Sequence, residues 1–273
     1  MHRALWVCCF LCFLASAIAG EPQKILMVGN SLTYTYGIPA ILENFAKATK
    51  RTLTVTTHVA GGRTLTWHWS NPSGKSEVTA PQAIAKGGYD LVIIQDSAQP
   101  LMKSGEGAEA FVKVVPDFVK AIRNASMQAM LYMGHPTAKE VKLESVQSVI
   151  DAYAKAADAL AIPCAPSVLA FVRFNEKYPK IALLDGQADR KYALGKAGTH
   201  HSPFGAYLAA CTLYATIYKQ TPVGLTFHAA FDAKTEVPID VADAAAAQEI
   251  AWQVVQEYER NYPLATSGKA PAH

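Results

Sequence analysis

The run Lys24-Ile-Leu-Met-Val-Gly-Asn-Ser31 does most to restrict the folds open to this chain. Ile25 to Val28 are unbroken apolar residues, the composition of a strand buried on both faces rather than one with a solvated side. Gly29 ends the run, and Pro39 to Ala48 then reads as a helix. A doubly buried strand followed at once by a helix belongs to a parallel sheet. Ser31 then sits just beyond the strand's carboxyl end, where open α/β sheets place their ligands. Taken alone, the same Gly-x-Ser junction also describes a serine that merely caps a helix or turn.

The alternation continues. Strands are expected near Ile25 to Val28, Leu53 to Val59, Leu91 to Gln95, Met127 to Met133 and Ala161 to Ala165. Helices fit Ile38 to Lys50, Gly107 to Asn124, Leu143 to Leu160, Pro203 to Lys219 and Val241 to Tyr262, the last with Asp240 as N-cap. Thr66 to Ala80 and Thr226 to Pro238 read as loop-like excursions. The pattern implies α/β architecture: one three-layer domain, with a mostly parallel sheet and helices on both faces. With 273 residues, 51% of them apolar, the chain can bury one large core, and no boundary favours two domains.

Residues 1–19 read as a secretory signal, with Arg3 before an apolar core from Ala4 to Ala15 and Ala17-Ile-Ala19 as a small-x-small cleavage site. The organisation is therefore a signal at 1–19, one domain over 21–264 and a disordered tail over 265–273. The expected location is secreted or periplasmic, with no stable membrane span after cleavage. The formal charge of +3 falls to +2 without the leader, which holds Arg3 and no acid. Lysines and arginines are scattered, so no nucleic-acid partner is implied. Cys164 and Cys211 remain after cleavage; export permits a disulfide, and buried thiols fit equally.

The segment Gly198-Thr-His-His-Ser-Pro-Phe-Gly-Ala-Tyr-Leu208 sets a second loop. Ser202-Pro203 is a good N-cap followed by proline at the first helical position, so the histidines before it sit on a short, rigid connection. A serine on one strand-end loop and a histidine on another suit nucleophilic acyl transfer, in which imidazole takes the hydroxyl proton and returns it to the leaving alcohol.

Four separated blocks resemble the SGNH hydrolases, the GDSL-like esterases and lipases. Val28-Gly-Asn-Ser-Leu-Thr33 is similar to the nucleophile block, with Asn30 where many members have aspartate; Ala60-Gly-Gly-Arg-Thr-Leu65 is similar to the second. Tyr89 to Ser97 stands where the third block belongs, and its Gln95-Asp96 resembles a branch with Gln-Glu at this strand end. His200 to Leu208 is similar to the last block, with His201 in the proline position. The resemblance implies a flavodoxin-like SGNH fold, Ser31 as nucleophile, His200 as base and Gly62 as an oxyanion donor. It also implies an aspartate three residues before the histidine, where this chain has Ala197. Asp185, in Ala182-Leu-Leu-Asp-Gly186, is the candidate for a displaced acid, ahead of Asp189; a Ser-His dyad and an inactive relative stay open.

Backbone N–H groups of Ser31 and Gly62 and the Gln95 side chain make the expected oxyanion hole, because donors fixed in advance stabilise the charge that develops on a carbonyl oxygen. Asn30, Arg63 and His68 are candidates for substrate binding. Tyr34 and Tyr36 read as packing near the cleft, His58 as a strand residue and His135 as a group near the active face. No histidine and carboxylate pair has metal-ligand spacing, and there is neither a P-loop nor a dinucleotide glycine signature, so no metal or cofactor is expected. The expected activity is hydrolysis of a carboxylic ester through an acyl-serine, with an acylated carbohydrate as first choice of substrate. A short-chain lipid ester comes next, and a non-catalytic carbohydrate-binding protein on the same scaffold is the rival.

Overall fold

The computed structural model describes residues 21–263 apart from 74–75, 99–100, 102–105, 136–141, 197 and 199. The expected leader at 1–19, the tail at 265–273 and Ala197 lie outside the described residues. Strands β1 (Lys24–Gly29), β2 (Thr54–Val59), β3 (Leu91–Ile94), β4 (Gln128–Tyr132) and β5 (Cys164–Ala165) form a sheet in the order β2-β1-β3-β4-β5. Every pairing in it is parallel. Ile25 to Val28 and all of β3 are buried, as unbroken apolar strands between two helical layers must be. β2 lies at the edge and exposes Thr54, Thr56 and Thr57, which explains its threonine-rich sequence.

Nine helices are described: α1 (Ser31–Tyr34), α2 (Ile38–Ala48), α3 (Leu65–Ser70), α4 (Ala80–Ala85), α5 (Glu106–Asn124), α6 (Leu143–Leu160), α7 (Ser167–Lys177), α8 (Pro203–Tyr218) and α9 (Val241–Asn261). α8 packs against α2, α7 and α9 in one layer, and α5 packs against α3, α4 and α6 in the other. α8 is apolar on every side and buries nearly all of its residues, so it acts as a central core helix. The single α/β domain expected from the sequence is what the chain forms. Among the described residues, no helix is long and apolar enough to cross a membrane.

Three stretches differ from expectation. Thr66 to Ala80 contains most of α3, held at its start by the Thr64 side chain, and leads into α4, whose Thr79 and Gln82 form a reciprocal capping box. Ser167–Lys177 forms a helix because its apolar residues are dense enough to be buried between neighbouring helices. Thr226 to Pro238 holds an antiparallel hairpin, β6 (Ala229–Asp232) and β7 (Thr235–Pro238), which packs on the tight turn Thr35–Gly37 after α1. Cys164 and Cys211 are both buried and unpaired.

The strand order reverses at β1: β2 lies on one side of it and β3 on the other. Loops leaving the carboxyl ends of β1 and β3 therefore diverge to opposite faces and open a crevice. Ser31 follows β1 and Gln95-Asp96 follows β3, so both stand at this switch point.

Candidate active site

Asn30 initiates α1. Its backbone is extended at φ −109°, and its Oδ1 accepts the Leu32 N–H at 3.0 Å. Its Nδ2 donates to the Arg63 carbonyl at 3.2 Å, which ties the nucleophile loop to the Gly61-Gly62 loop. Gln95, fully buried, completes this frame: its Oε1 accepts Asn30 N–H at 3.1 Å and Thr33 Oγ1–H at 2.9 Å, while its Nε2 donates to the Asp96 carbonyl. Gly29 is required beneath them, since a Cβ there would come within 2.7 Å of Gln95 Oε1 and closer still to Thr33 Oγ1. Tyr132 adds a hydroxyl donated to the Leu32 carbonyl at 3.3 Å.

The second loop is fixed by strand-like pairing. Residues 183–185 run antiparallel to 200–202, with Asp185 N–H on the His200 carbonyl at 2.9 Å and Ser202 N–H on the Leu183 carbonyl at 2.8 Å. Ser202 caps α8 by accepting Gly205 N–H at 3.0 Å and donates its hydroxyl to the Ala182 carbonyl at 2.5 Å. This brings His200 Nε2 to 2.9 Å from Ser31 Oγ, across 169 residues of sequence.

His201, next in the chain, faces the other way. It is fully buried, and its Nε2 meets the Thr35 carbonyl at 2.9 Å while its Nδ1 lies 3.2 Å from His135 Nε2. A carbonyl can only accept, so His201 carries its proton on Nε2 and takes the His135 Nε2–H on Nδ1. Burial pushes the His201 pKa down to about 3, helped by the neighbouring His135 and opposed by the bond to Thr35. The pair joins the histidine loop to the turn after α1; His135 itself stacks on Phe171 at 4.9 Å.

Asp185 lies beside His200 without a hydrogen bond to it. Its Oδ1 accepts the Tyr36 hydroxyl at 2.7 Å, and among the described residues none bonds His200 Nδ1. Burial raises the Asp185 pKa, with the Tyr36 hydrogen bond and then the charges of His200 and Lys196 pulling against it. Tyr36 holds a left-handed backbone at φ +53°, costly for a residue with a Cβ, and hairpin packing together with the Asp185 bond keeps it there. The displaced acid expected from the sequence is therefore engaged by Tyr36, a residue expected only to pack near the cleft. Among the described residues of the site, none bonds the Asp189 side chain.

Three further expectations change. Gln95 is an anchor under Asn30 and Thr33: its Oε1 accepts from both, its Nε2 donates to the Asp96 carbonyl, and the side chain is fully buried where a substrate surface was expected. Asn30 is buried and holds loops together, so it does not line a substrate surface. His68 is fully buried against Trp67 and His58, with ring centroids 5.2 and 5.4 Å away, and is likewise removed from any substrate surface. Burial and then the neighbouring His58 lower its pKa to about 4; the Gly29 carbonyl lies near enough to oppose the shift but outside hydrogen-bond geometry. Arg63 remains exposed, its guanidinium 5.3 Å from the Trp67 ring centroid.

Two backbone amides near Ser31 Oγ and Arg63 are left without an acceptor among the described residues. Ser31 opens α1, so its N–H belongs to the set that a helix start leaves without an internal acceptor. Gly62 is exposed at φ +67°, a conformation that favours glycine.

No protein-family model matches the chain, and no curated protein matches it by sequence. Its fold is shared with solved structures at low identity. A DUF4886 family protein from Bacteroides uniformis superposes with a TM-score of 0.61 at 18% identity, covering 89% of this chain and 96% of the other. An alpha/beta hydrolase enzyme from the metagenome of Lake Arreo, Spain, gives 0.53 at 15% identity, covering 72% and 95%. An acetylxylan esterase from Geobacillus stearothermophilus gives 0.53 at 14%, covering 73% and 95%.

Proposed function

We propose that this chain is an exported SGNH-type serine esterase that hydrolyses carboxylic esters, with an acylated carbohydrate as substrate. The observation that carries the reading is the 2.9 Å approach of His200 Nε2 to Ser31 Oγ at the switch point of the sheet. His200 takes the hydroxyl proton as Ser31 Oγ attacks the ester carbonyl, and the oxyanion is met by the N–H groups of Ser31 and Gly62. Collapse of the tetrahedral intermediate breaks the bond to the alcohol, which leaves with the proton held by His200. Water, deprotonated in turn by His200, then releases the acid and restores Ser31.

In this mechanism Ser31 and His200 act as a dyad. To accept from Ser31, His200 carries its own proton on Nδ1, and Asp185 makes no hydrogen bond to it. Export rests on the leader-like sequence at 1–19. The carbohydrate assignment rests on that export, on the exposed Arg63 over Trp67 and on the likeness to an esterase of acetylated xylan.

Hydrolysis of 4-nitrophenyl acetate by the purified chain tests the reading. Ser31→Ala should reduce turnover by about 10³ or more. Turnover that survives the substitution, or none in the unaltered chain, would favour the non-catalytic binding protein.

A further inference from the structure

We propose that the groove between α3 and α5 is a carbohydrate subsite, with Asp96 at its inner end and Trp69 on its rim. The inner compartment has a volume of about 360 Å³ and carries the hydroxyl-bearing residues Thr64, Thr66 and Ser97 around Asp96. An outer compartment of about 450 Å³ carries Trp69, Ser70, Glu109, Lys113 and Asp117. Thr66 and Ala110 line both, so the two compartments are neighbours along the same groove. The inner compartment begins at Thr64, two residues beyond Gly62.

Asp96 marks the groove as a place for a ligand. The residue is only 4% exposed, yet it lines the cavity. Its Oδ1 accepts Ser97 N–H at 2.7 Å and Leu65 N–H at 3.1 Å, and among the described residues none donates to its Oδ2. With Oδ1 taken by two backbone amides and the residue on the cavity wall, Oδ2 is the oxygen left for a group entering the groove, and burial pushes this carboxyl up to about 6 despite the two N–H bonds. A ligand hydroxyl can serve it in either protonation state, by donating to a carboxylate or accepting from the acid.

The surroundings select the class of hydroxyl compound. Glu109, Lys113 and Asp117 recur every four residues on α5 and so share one face of that helix. Their planar and charged ends suit the many hydroxyls of a sugar, and two acids to one lysine disfavour an anionic ligand. Trp69 is braced edge-on against Phe118, with ring centroids 5.1 Å apart, and supplies the aromatic surface on which a sugar ring can rest. Divalent cations prefer several carboxylates, whereas Asp96 is the one carboxylate among the described residues that line the inner compartment. Within the proposed esterase reaction, on which this assignment of a substrate part rests, the subsite holds the sugar that leaves.

Binding of xylotetraose, cellotetraose and chitotetraose to the full chain, followed by calorimetry, tests this without requiring turnover. Thr66→Trp places bulk on an exposed helix position where the two compartments join, and Asp96→Asn keeps an acceptor for the backbone amides while changing the free oxygen. At least one sugar should bind, with affinity reduced about tenfold or more by each substitution. No binding of any of the three, or binding that survives Thr66→Trp, overturns the subsite. Hydrolysis of 4-nitrophenyl acetate by the same proteins separates the two readings. Thr66→Trp should leave it within about twofold of the unaltered chain, and failure of the unaltered chain to hydrolyse it would remove the esterase while leaving the sugar titration as judge of the groove.

Discussion

Around Ser31 the nucleophile loop is fastened by neutral hydrogen bonds to residues at the ends of adjacent strands, with Gln95 under Asn30 and Asn30 reaching Arg63. The histidine loop instead depends on pairing with residues 183–185 and on ionisable side chains drawn from far away: His135 behind His201, Tyr36 on Asp185. The difference teaches where each loop is vulnerable. Changes of packing should disable the first, and changes of charge should modulate the second.

The largest effect lies where the loops meet. His200→Ala should lower ester turnover by about 10³ or more, measured with 4-nitrophenyl acetate, because the base that activates Ser31 is lost. Next comes the nucleophile loop. Gln95→Met keeps the volume but strands Asn30 N–H and the Thr33 hydroxyl, each at about 1–3 kcal/mol for a buried unpaired group. Turnover should fall by about 10² and the midpoint of urea unfolding should fall with it. A loss of turnover at unchanged stability would return Gln95 to direct contact with the reacting carbonyl.

How much of this could be read from the sequence follows the same division. The strand-end serine, the five strands and the capped loop before α8 rest on local signals: apolar runs, a glycine stop, a serine followed by proline. Gln95 was recognisable as part of the site, but its use was not, because the donors it meets are set by how β1 and β3 pair. Tyr36 and Asp185 are 149 residues apart, and no periodicity predicts a phenol taking the carboxylate expected at an imidazole. α7 escaped because it begins directly after Pro166 without a side-chain cap, so no start signal separates it from the strand before it. The groove depends on α3, which lies largely within a stretch read as loop.

Acid titration probes the buried ionisable groups of the histidine loop and of the region around α3. His201 and His68, with pKa values pushed down to about 3 and about 4, are neutral when folded and take protons when unfolded. Stability should therefore fall as pH drops below about 6.5, down to about 4 for His68 and about 3 for His201. Asp96, raised to about 6, has the opposite sign and recovers stability from about 6 down to its unfolded value. For these three groups the net expected loss between pH 6.5 and 5 is about 2 kcal/mol, a factor of about 30 in the folding equilibrium, measurable by urea unfolding. A stability that rises over that interval would contradict the neutral buried imidazoles.

The smallest effect tests the acid. Asp185→Asn should reduce turnover by less than about tenfold, where loss of an orienting triad carboxylate would cost up to about 10⁴. Tyr36→Phe removes the competing hydroxyl, so the effects of the two substitutions should not add. Additive effects would separate Tyr36 from the acid's function.

The central claim is that Ser31 is a nucleophile activated by His200. Its most direct test is covalent labelling with an alkyl fluorophosphonate, followed by peptide mass spectrometry of the intact sequence and of His200→Ala. The account predicts one phosphonyl adduct, on Ser31, formed rapidly in the unaltered chain and slowed by about 10² or more without His200. An adduct on another residue, none at all, or equal labelling of Ser31 in both proteins would contradict it.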